Sequence, residues 1–401
     1  RHAPSALTAV MFEFEAWYLI VLPLLFAAGW WLRGFDSRVR AADQGAAPRS
    51  MFRGLNLLLN EQPDKAIDAF IDVVKLDPET IELHYALGNL FRRRGEVDRA
   101  VRIHTHLLNR ADLPARERSN ALAELGQDFL KGGLLDRAED AFVRLLEDSR
   151  HRFGALRALL RIYQMEREWM KAIDCARRLE REAGESHHVS VAQFYCELAE
   201  QALARSDLPL AQAHLDEALI ADRKSVRATM LVGDVAMRRG DLDEAIRHWL
   251  RLEATSPEHL PLIAARLTEA MDRAGRREEA LNLLRRALLD WPSIDLLDVA
   301  YQRIGEWEGP AAAEVLLRDE LKRHPSLLGF EKLLALRSAQ VKGDPELDLL
   351  RTLIHEQTRK LARYRCSKCG FRAREFHWQC PGCTSWDSYP PRRVEELDAA
   401  Y

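Results

Sequence analysis

Four of the six cysteines stand in two short phrases, Cys366-Ser367-Lys368-Cys369 and Cys380-Pro381-Gly382-Cys383, separated by ten residues. Two such turns deliver four thiolates and can close a tetrahedral shell around one soft metal ion, which a lone CxxC turn cannot do. A shell saturated by protein leaves no coordination position for water or substrate, so the metal is expected to be structural. Zinc suits the ligand softness and the ribbon-like spacing, and iron in a rubredoxin-like site is the rival. Each turn must fold back so that backbone N–H groups face the sulfurs, and Gly370 and Gly382 stand where that requirement falls. His377 lies in the spacer, but four cysteines already suffice. Two disulfides are the alternative use of the same residues, and the compartment decides between them.

The remainder of the chain offers no comparable chemistry. It contains no Gly-rich phosphate loop, no GxSxG elbow and no HExxH pair, so no enzyme is expected. His104 and His106 are two apart, and on a helix such residues face different directions. Cys175 and Cys196 read as small buried hydrophobes, and Trp169, Trp249 and Trp291 as core. With 59 basic against 62 acidic residues the net charge is −3, which gives no global field for nucleic acid. Arg363, Arg365, Lys368, Arg372 and Arg374 make the cysteine-rich end locally basic, a patch open to lipid headgroups, an acidic protein or solvent alone.

The elements that must position the cysteines repeat. Alanines recur at 66, 100, 138, 172, 211, 245, 280 and 313, with gaps of 34, 38, 34, 39, 34, 35 and 33. Thirty-four is the tetratricopeptide period, a helix–turn–helix unit. Twelve residues before the alanine, where two helices cross closely, stand Gly54, Gly88, Gly126, Ala199 and Gly233. Four after it, on the same helical face, come Phe70, Phe142, Leu215, Trp249, Leu284 and Leu317. Twelve after it, where the second helix stops, come Pro78, Pro257, Pro292 and Pro325. Gly95, Gly133, Gly240 and Gly275 lie five before it and suit a left-handed turn ending the first helix.

Repeats four, seven and eight depart from the pattern, with Leu160, Thr268 and Tyr301 at the small-residue position, so their packing must differ. The two long gaps predict longer connections around Leu113-Pro114 and Glu185-Ser186-His187-His188. The fold class is therefore all-α: about eight repeats over residues 51–326, stacked into a superhelical solenoid with a protein-binding groove. Capping helices are expected over 327–362, broken at Lys342-Gly343-Asp344-Pro345, and a four-cysteine domain over 363–390.

At the other end, Trp17 to Leu32 carries no charge, and Phe12, Phe14 and Ala16 extend its apolar reach. Aromatic residues bracket the run, which predicts a transmembrane helix over 12–32 followed by a linker over 33–50. Glu13 and Glu15 precede the run while Arg33, Arg38 and Arg40 follow it, which leaves the bulk of the chain on the cytoplasmic side. The acidic flank argues against a cleaved signal peptide. Met11 is the expected natural start, with the first ten residues an upstream extension. A reducing cytoplasm favours thiolate–metal bonding over disulfides.

An anchor, a tetratricopeptide array and a terminal pair of CxxC turns, in that order, resemble the lipopolysaccharide assembly protein B family of Gram-negative bacteria. The resemblance is closest at residues 88–100, at Phe194-Tyr195-Cys196-Glu197-Leu198-Ala199 and at Tyr364-Arg365-Cys366-Ser367-Lys368-Cys369-Gly370-Phe371. It implies a rubredoxin-like site whose ligands are Cys366, Cys369, Cys380 and Cys383. It also implies an adaptor on the cytoplasmic face of the inner membrane. Such an adaptor would present the lipid A-committing deacetylase LpxC to the membrane protease FtsH and gather other lipopolysaccharide-synthesis proteins. Packing of the cysteine domain against the repeats through Phe371, Phe376, Trp378 or Trp386 is expected. A general membrane-tethered scaffold or co-chaperone, and an iron-dependent electron carrier, are the alternatives.

Overall fold

A computed structural model of the chain describes residues 81–340 and 344–398. The expected membrane span, its linker and the first repeat around Ala66 lie outside the described residues. Among the described residues no helix is long and apolar enough to cross a membrane. The chain divides into two compact units, Arg1–Ala155 and Leu156–Tyr401.

In the first unit two helix pairs are described: α1 (Ile81–Arg94) with α2 (Val97–Leu108), and α3 (Ala115–Lys131) with α4 (Leu135–Leu145). Helix α5 (Arg152–Glu166) begins here and continues into the second unit, where α6 (Trp169–Ala183) follows it. The second unit then runs through α7 (His188–Ala204), α8 (Leu208–Ala221), α9 (Val226–Arg239) and α10 (Leu242–Thr255). After a 3-10 turn over Pro257–Leu262 come α11 (Ala264–Arg273), α12 (Arg277–Asp290), α13 (Ile294–Trp307) and α14 (Pro310–Arg323). Two helices end the series, α15 (Leu327–Gln340) and α16 (Pro345–Leu361), the latter capped by the Asp344 carboxylate on the N–H groups of Glu346 and Leu347. The alanines at 100, 138, 172, 211, 245 and 280 are fully buried in the second helix of each pair, and Ala313 is nearly so.

Close crossing explains the small residue twelve positions earlier. A Cβ on Gly233 would stand 2.2 Å from the Trp249 ring, and one on Gly126 would stand 2.9 Å from Phe142. At Gly88 the ring that fills the space is His104. In repeat four the departure is a volume exchange across the same crossing, whereas in repeat eight half-buried Tyr301 keeps a buried leucine, Leu317, at the opposing position. Repeat four puts Leu160 opposite a second-helix position held by fully buried Ala176, and repeat five pairs Ala199 with Leu215. Thr268 of repeat seven is buried, and its hydroxyl donates to the Ala264 carbonyl at 2.8 Å, which removes the cost of the polar atom.

The turn between the two helices is fixed more firmly than the residue that makes it. Gly95, Gly133, Gly240 and Gly275 adopt φ of 82°, 73°, 84° and 75°. Repeats four and five carry Arg167 and Ser206 at that position, yet both are left-handed, at φ 59° and 60°. Packing of the flanking helices therefore imposes a conformation that costs a non-glycine residue about 1 kcal/mol. Of the two long gaps, the first has the longer connection expected, six residues (109–114) between α2 and α3, and the second does not. The connection before α7 is no longer than that before α9; α7 itself extends to 17 residues against 14 for α9, so the extra length is helical.

Replacing Ser206 by Gly should stabilise the second unit by about 1 kcal/mol, read as a higher urea midpoint at unchanged slope. A lower midpoint would show that the turn is not strained. Gly233→Ala should cost about 2–3 kcal/mol through its clash with Trp249. The double variant Gly233→Ala/Trp249→Leu, which copies the Ala199/Leu215 pairing, should lose at least about 1 kcal/mol less than the sum of its parts. Strict additivity would refute the volume exchange.

Candidate metal centre

The cysteine segment is short of regular structure. Strand β1 (Tyr364–Arg365) pairs antiparallel with β2 (Arg372–Ala373), in register Tyr364 to Ala373. The first CxxC turn sits in the loop of that hairpin. Cys366 donates its N–H to the Phe371 carbonyl and accepts from the Gly370 N–H. The second turn repeats the pattern at the same offsets: Cys380 donates to the Ser385 carbonyl and accepts from the Thr384 N–H. Gly370 is left-handed at φ 76° and its counterpart is Thr384, at φ 58°. Gly382 is therefore small for a different reason than its expected turn geometry, since a Cβ there would meet Phe371 at 3.1 Å. Its N–H donates to Cys380 Sγ at 3.3 Å.

The two turns bring all four sulfurs within 4.8 Å of one another. Cys366 and Cys383 are 3.8 Å apart and Cys369 and Cys380 3.6 Å, close to the edge of about 3.8 Å of a tetrahedron with 2.3 Å metal–sulfur bonds. All six cysteines are free, so the expected alternative of two disulfides is not formed. Cys366 and Cys380 are buried, while Cys369 is exposed. His377 stays out of the cluster and packs edge-on against Tyr389.

The surroundings favour negative sulfur. Burial opposes ionisation of Cys366, but the Ser388 hydroxyl and the N–H groups of Cys369 and Lys368 outweigh it and bring the thiol down to about 6. The Ser385 hydroxyl and N–H lower Cys383 as well. For Cys369 the Phe371 N–H favours the thiolate, yet partial desolvation and the three neighbouring sulfurs, which hydrogen-bond its neutral thiol, prevail and push it up to about 12. Four sulfurs this close cannot all carry charge alone, and a divalent cation relieves that conflict. The donor set thus fits one soft ion such as zinc or iron.

The cysteine segment docks on the repeats of its own unit. Trp386 places its ring edge-on to Trp169 and Phe194, at 6.2 and 5.9 Å between centres. Trp378 stacks on His259 at 6.3 Å and receives Phe376 edge-on at 4.9 Å. Between the two indoles lies buried Arg227, 5.9 Å from each ring centre. Its guanidinium donates to Gln193 at 3.1 Å and to Glu197 at 2.7 Å, and Gln193 in turn donates to both Asp387 oxygens. A second anchor holds the other edge. Asp295 accepts from the Tyr364 hydroxyl at 2.8 Å and from two nitrogens of Arg393. In helix α17 (Val394–Asp398), Glu396 accepts the Ile294 N–H and Glu395 the Leu328 N–H, so consecutive glutamates cap α13 and α15.

Of the four expected docking residues, Trp378 and Trp386 meet the repeats, Phe376 packs within the segment against Trp378 and Tyr364, and Phe371 is 44% exposed beside Gly382. Trp169 and Trp249 are core as expected; Trp291 is 43% exposed and is not. Gln193, Arg227 and Asp295 were not legible as site residues, although one signal was present. They stand 34 and 68 residues apart, at the same repeat position, within the first two turns of the first helix of a pair. His104 is buried and bonds Asp128 at 2.5 Å, while His106 is exposed. The two therefore part as the helix period requires.

Residues 364–390 match the rubredoxin metal binding domain family, and residues 83–119 and 196–259 match tetratricopeptide repeat families. Lipopolysaccharide assembly protein B of Escherichia coli K12 is 37% identical over 93% of this chain and 97% of its own length. The chain belongs to the lipopolysaccharide assembly protein B family. The Haemophilus influenzae protein of the same name is 30% identical over 94% of this chain and 98% of its own length. In this family member the fold is an all-helical tetratricopeptide array with a rubredoxin-like four-cysteine segment.

Trp386→Ala should cost the second unit about 2–3 kcal/mol and speed hydrogen exchange in residues 364–390 and in α7 and α9. Bound metal should remain one ion per chain, because no ligand is touched. Unchanged exchange in α7 and α9 would show that the indole does not hold the segment in place.

Proposed function

We propose that this protein is an inner-membrane adaptor that regulates lipopolysaccharide output. In this reading residues 12–32 span the membrane, 33–50 link the anchor to the repeats, 51–326 form the solenoid and 327–362 cap it. Residues 363–390 carry one structural metal, zinc in preference to iron, on Cys366, Cys369, Cys380 and Cys383. The repeats bind the deacetylase LpxC and present it to the protease FtsH, and they gather other lipopolysaccharide-synthesis proteins at the membrane. The protein performs no catalysis of its own.

The observation that carries this reading is the similarity to proteins named for lipopolysaccharide assembly along nearly their whole length. The chemistry of the chain is compatible with it. A four-thiolate shell leaves no position for substrate, and tetratricopeptide helix pairs are protein-binding scaffolds. Depleting the protein should raise LpxC abundance and lipopolysaccharide level selectively, and crosslinking in native membranes should recover FtsH and LpxC only when the anchor is present. A general scaffold for other clients predicts no selective rise, and that result would overturn the proposal.

The metal is assigned a mechanical role. Cys380→Ser should release the ion and make residues 156–398 markedly more sensitive to protease. Equal sensitivity in the metal-free variant would sink the assignment, and bound iron with reversible redox chemistry would favour the electron-carrier alternative.

A further inference from the structure

A stack of helix pairs is ordinarily closed by a helix whose outer face is polar. Helix α16 closes this one differently. Its inner face, with Leu347, Ile354, Thr358 and Leu361, is buried or half-buried, and Glu331 of α15 bonds both His355 and Thr358. On the opposite face Leu349, Leu350 and Leu353 are 60%, 50% and 57% exposed. Three leucines on one face of a terminal helix form a patch that water does not favour.

The charges around the patch specify what covers it. Glu346 and Lys360 are each seven residues from Leu353, which on a helix returns to nearly the same face, and both are exposed. The face therefore reads acidic, apolar, basic from its N-terminal to its C-terminal end. A copy of the same helix laid antiparallel across it sets Leu353 against Leu353, and each Glu346 against the other copy's Lys360. A parallel copy would oppose like charges at both ends. Counting Glu346, Glu356 and Lys360, the face carries no net positive charge, so an anionic lipid surface is not matched.

We infer that the outer face of α16 pairs with the same face of a second copy of this chain, antiparallel about a two-fold axis at Leu353. Such a contact is isologous and closes at two copies. One helix pair is small for a protein interface, so the dimer is reversible.

The test uses the full chain in native membranes. Leu353→Cys should give a disulfide-linked dimer on mild oxidation, with the unsubstituted chain treated alike as background. Leu349→Cys and Gln357→Cys should fail to link to themselves but link to one another when co-expressed, because the axis sets 349 opposite 357. In detergent, Glu346→Lys should raise the dimer dissociation constant about tenfold, and Glu346→Lys/Lys360→Glu should restore it. These side chains are exposed, so the fold is not at risk. A monomer at all concentrations, self-linking at 349 as strong as at 353, or linkage of the Leu353→Cys variant only to a different protein would each overturn the inference.

Discussion

The gathering of four sulfurs within 4.8 Å is the constraint on which the second unit depends. The segment that carries them has very little apolar interior: Tyr364, Cys366, Ala373, Cys380 and Tyr389, with Phe376 and Cys383 beside them. A core of that size cannot offset the entropy of ordering nearly thirty residues, and small domains of this kind are ordinarily stapled by a metal. Once stapled, the segment presents Trp378, Trp386, Asp387 and Arg393 as one rigid face. That face meets residues drawn from α6, α7, α9 and α13 together with the 3-10 turn, so a local cluster becomes a tie among several repeats.

The tie is electrostatically unusual because a buried arginine lies at its centre. Burial alone would disfavour the Arg227 cation, but Glu200 and Glu197 reverse the balance and raise its pKa. The two indoles share that cation, and Gln193 passes its hydrogen bonding on to Asp387. Removing Asp387 would leave buried Gln193 short of a partner beside buried Arg227, which gives the docked arrangement specificity beyond its apolar area.

The repeat was legible in the sequence because its strongest constraints are steric and local. A residue that must admit another helix is small, and a turn that must be left-handed is usually glycine. Where the architecture overrode those preferences, as at Arg167, Ser206 and Leu160, the sequence carried no warning beyond a broken pattern. The ligand set was legible for a similar reason, since CxxC turns are defined by spacing alone. The docking residues were not. Gln193, Arg227 and Asp295 look like ordinary helix-surface polar residues until the cysteine segment lies against them, and their common 34-residue phase is meaningful only once that contact is seen. Gly382 is small for a reason that spacing does not carry, because its neighbour Phe371 is brought close only by the folded hairpin.

The paired glutamates at 395 and 396 carry a consequence for biosynthesis. The N-terminal ends of α13 and α15 are completed by side chains that are translated about a hundred and about seventy residues later, respectively. The repeats leave the ribosome first, with Trp169, Phe194 and Arg227 in place but their covering still unmade. The second unit therefore reaches its final form only when the last few residues of the described chain have been added. A product cut short between α16 and Trp378 keeps its repeat helices yet lacks both indoles that cover this aromatic surface. That surface marks it out as incomplete to the chaperones and proteases that survey new chains.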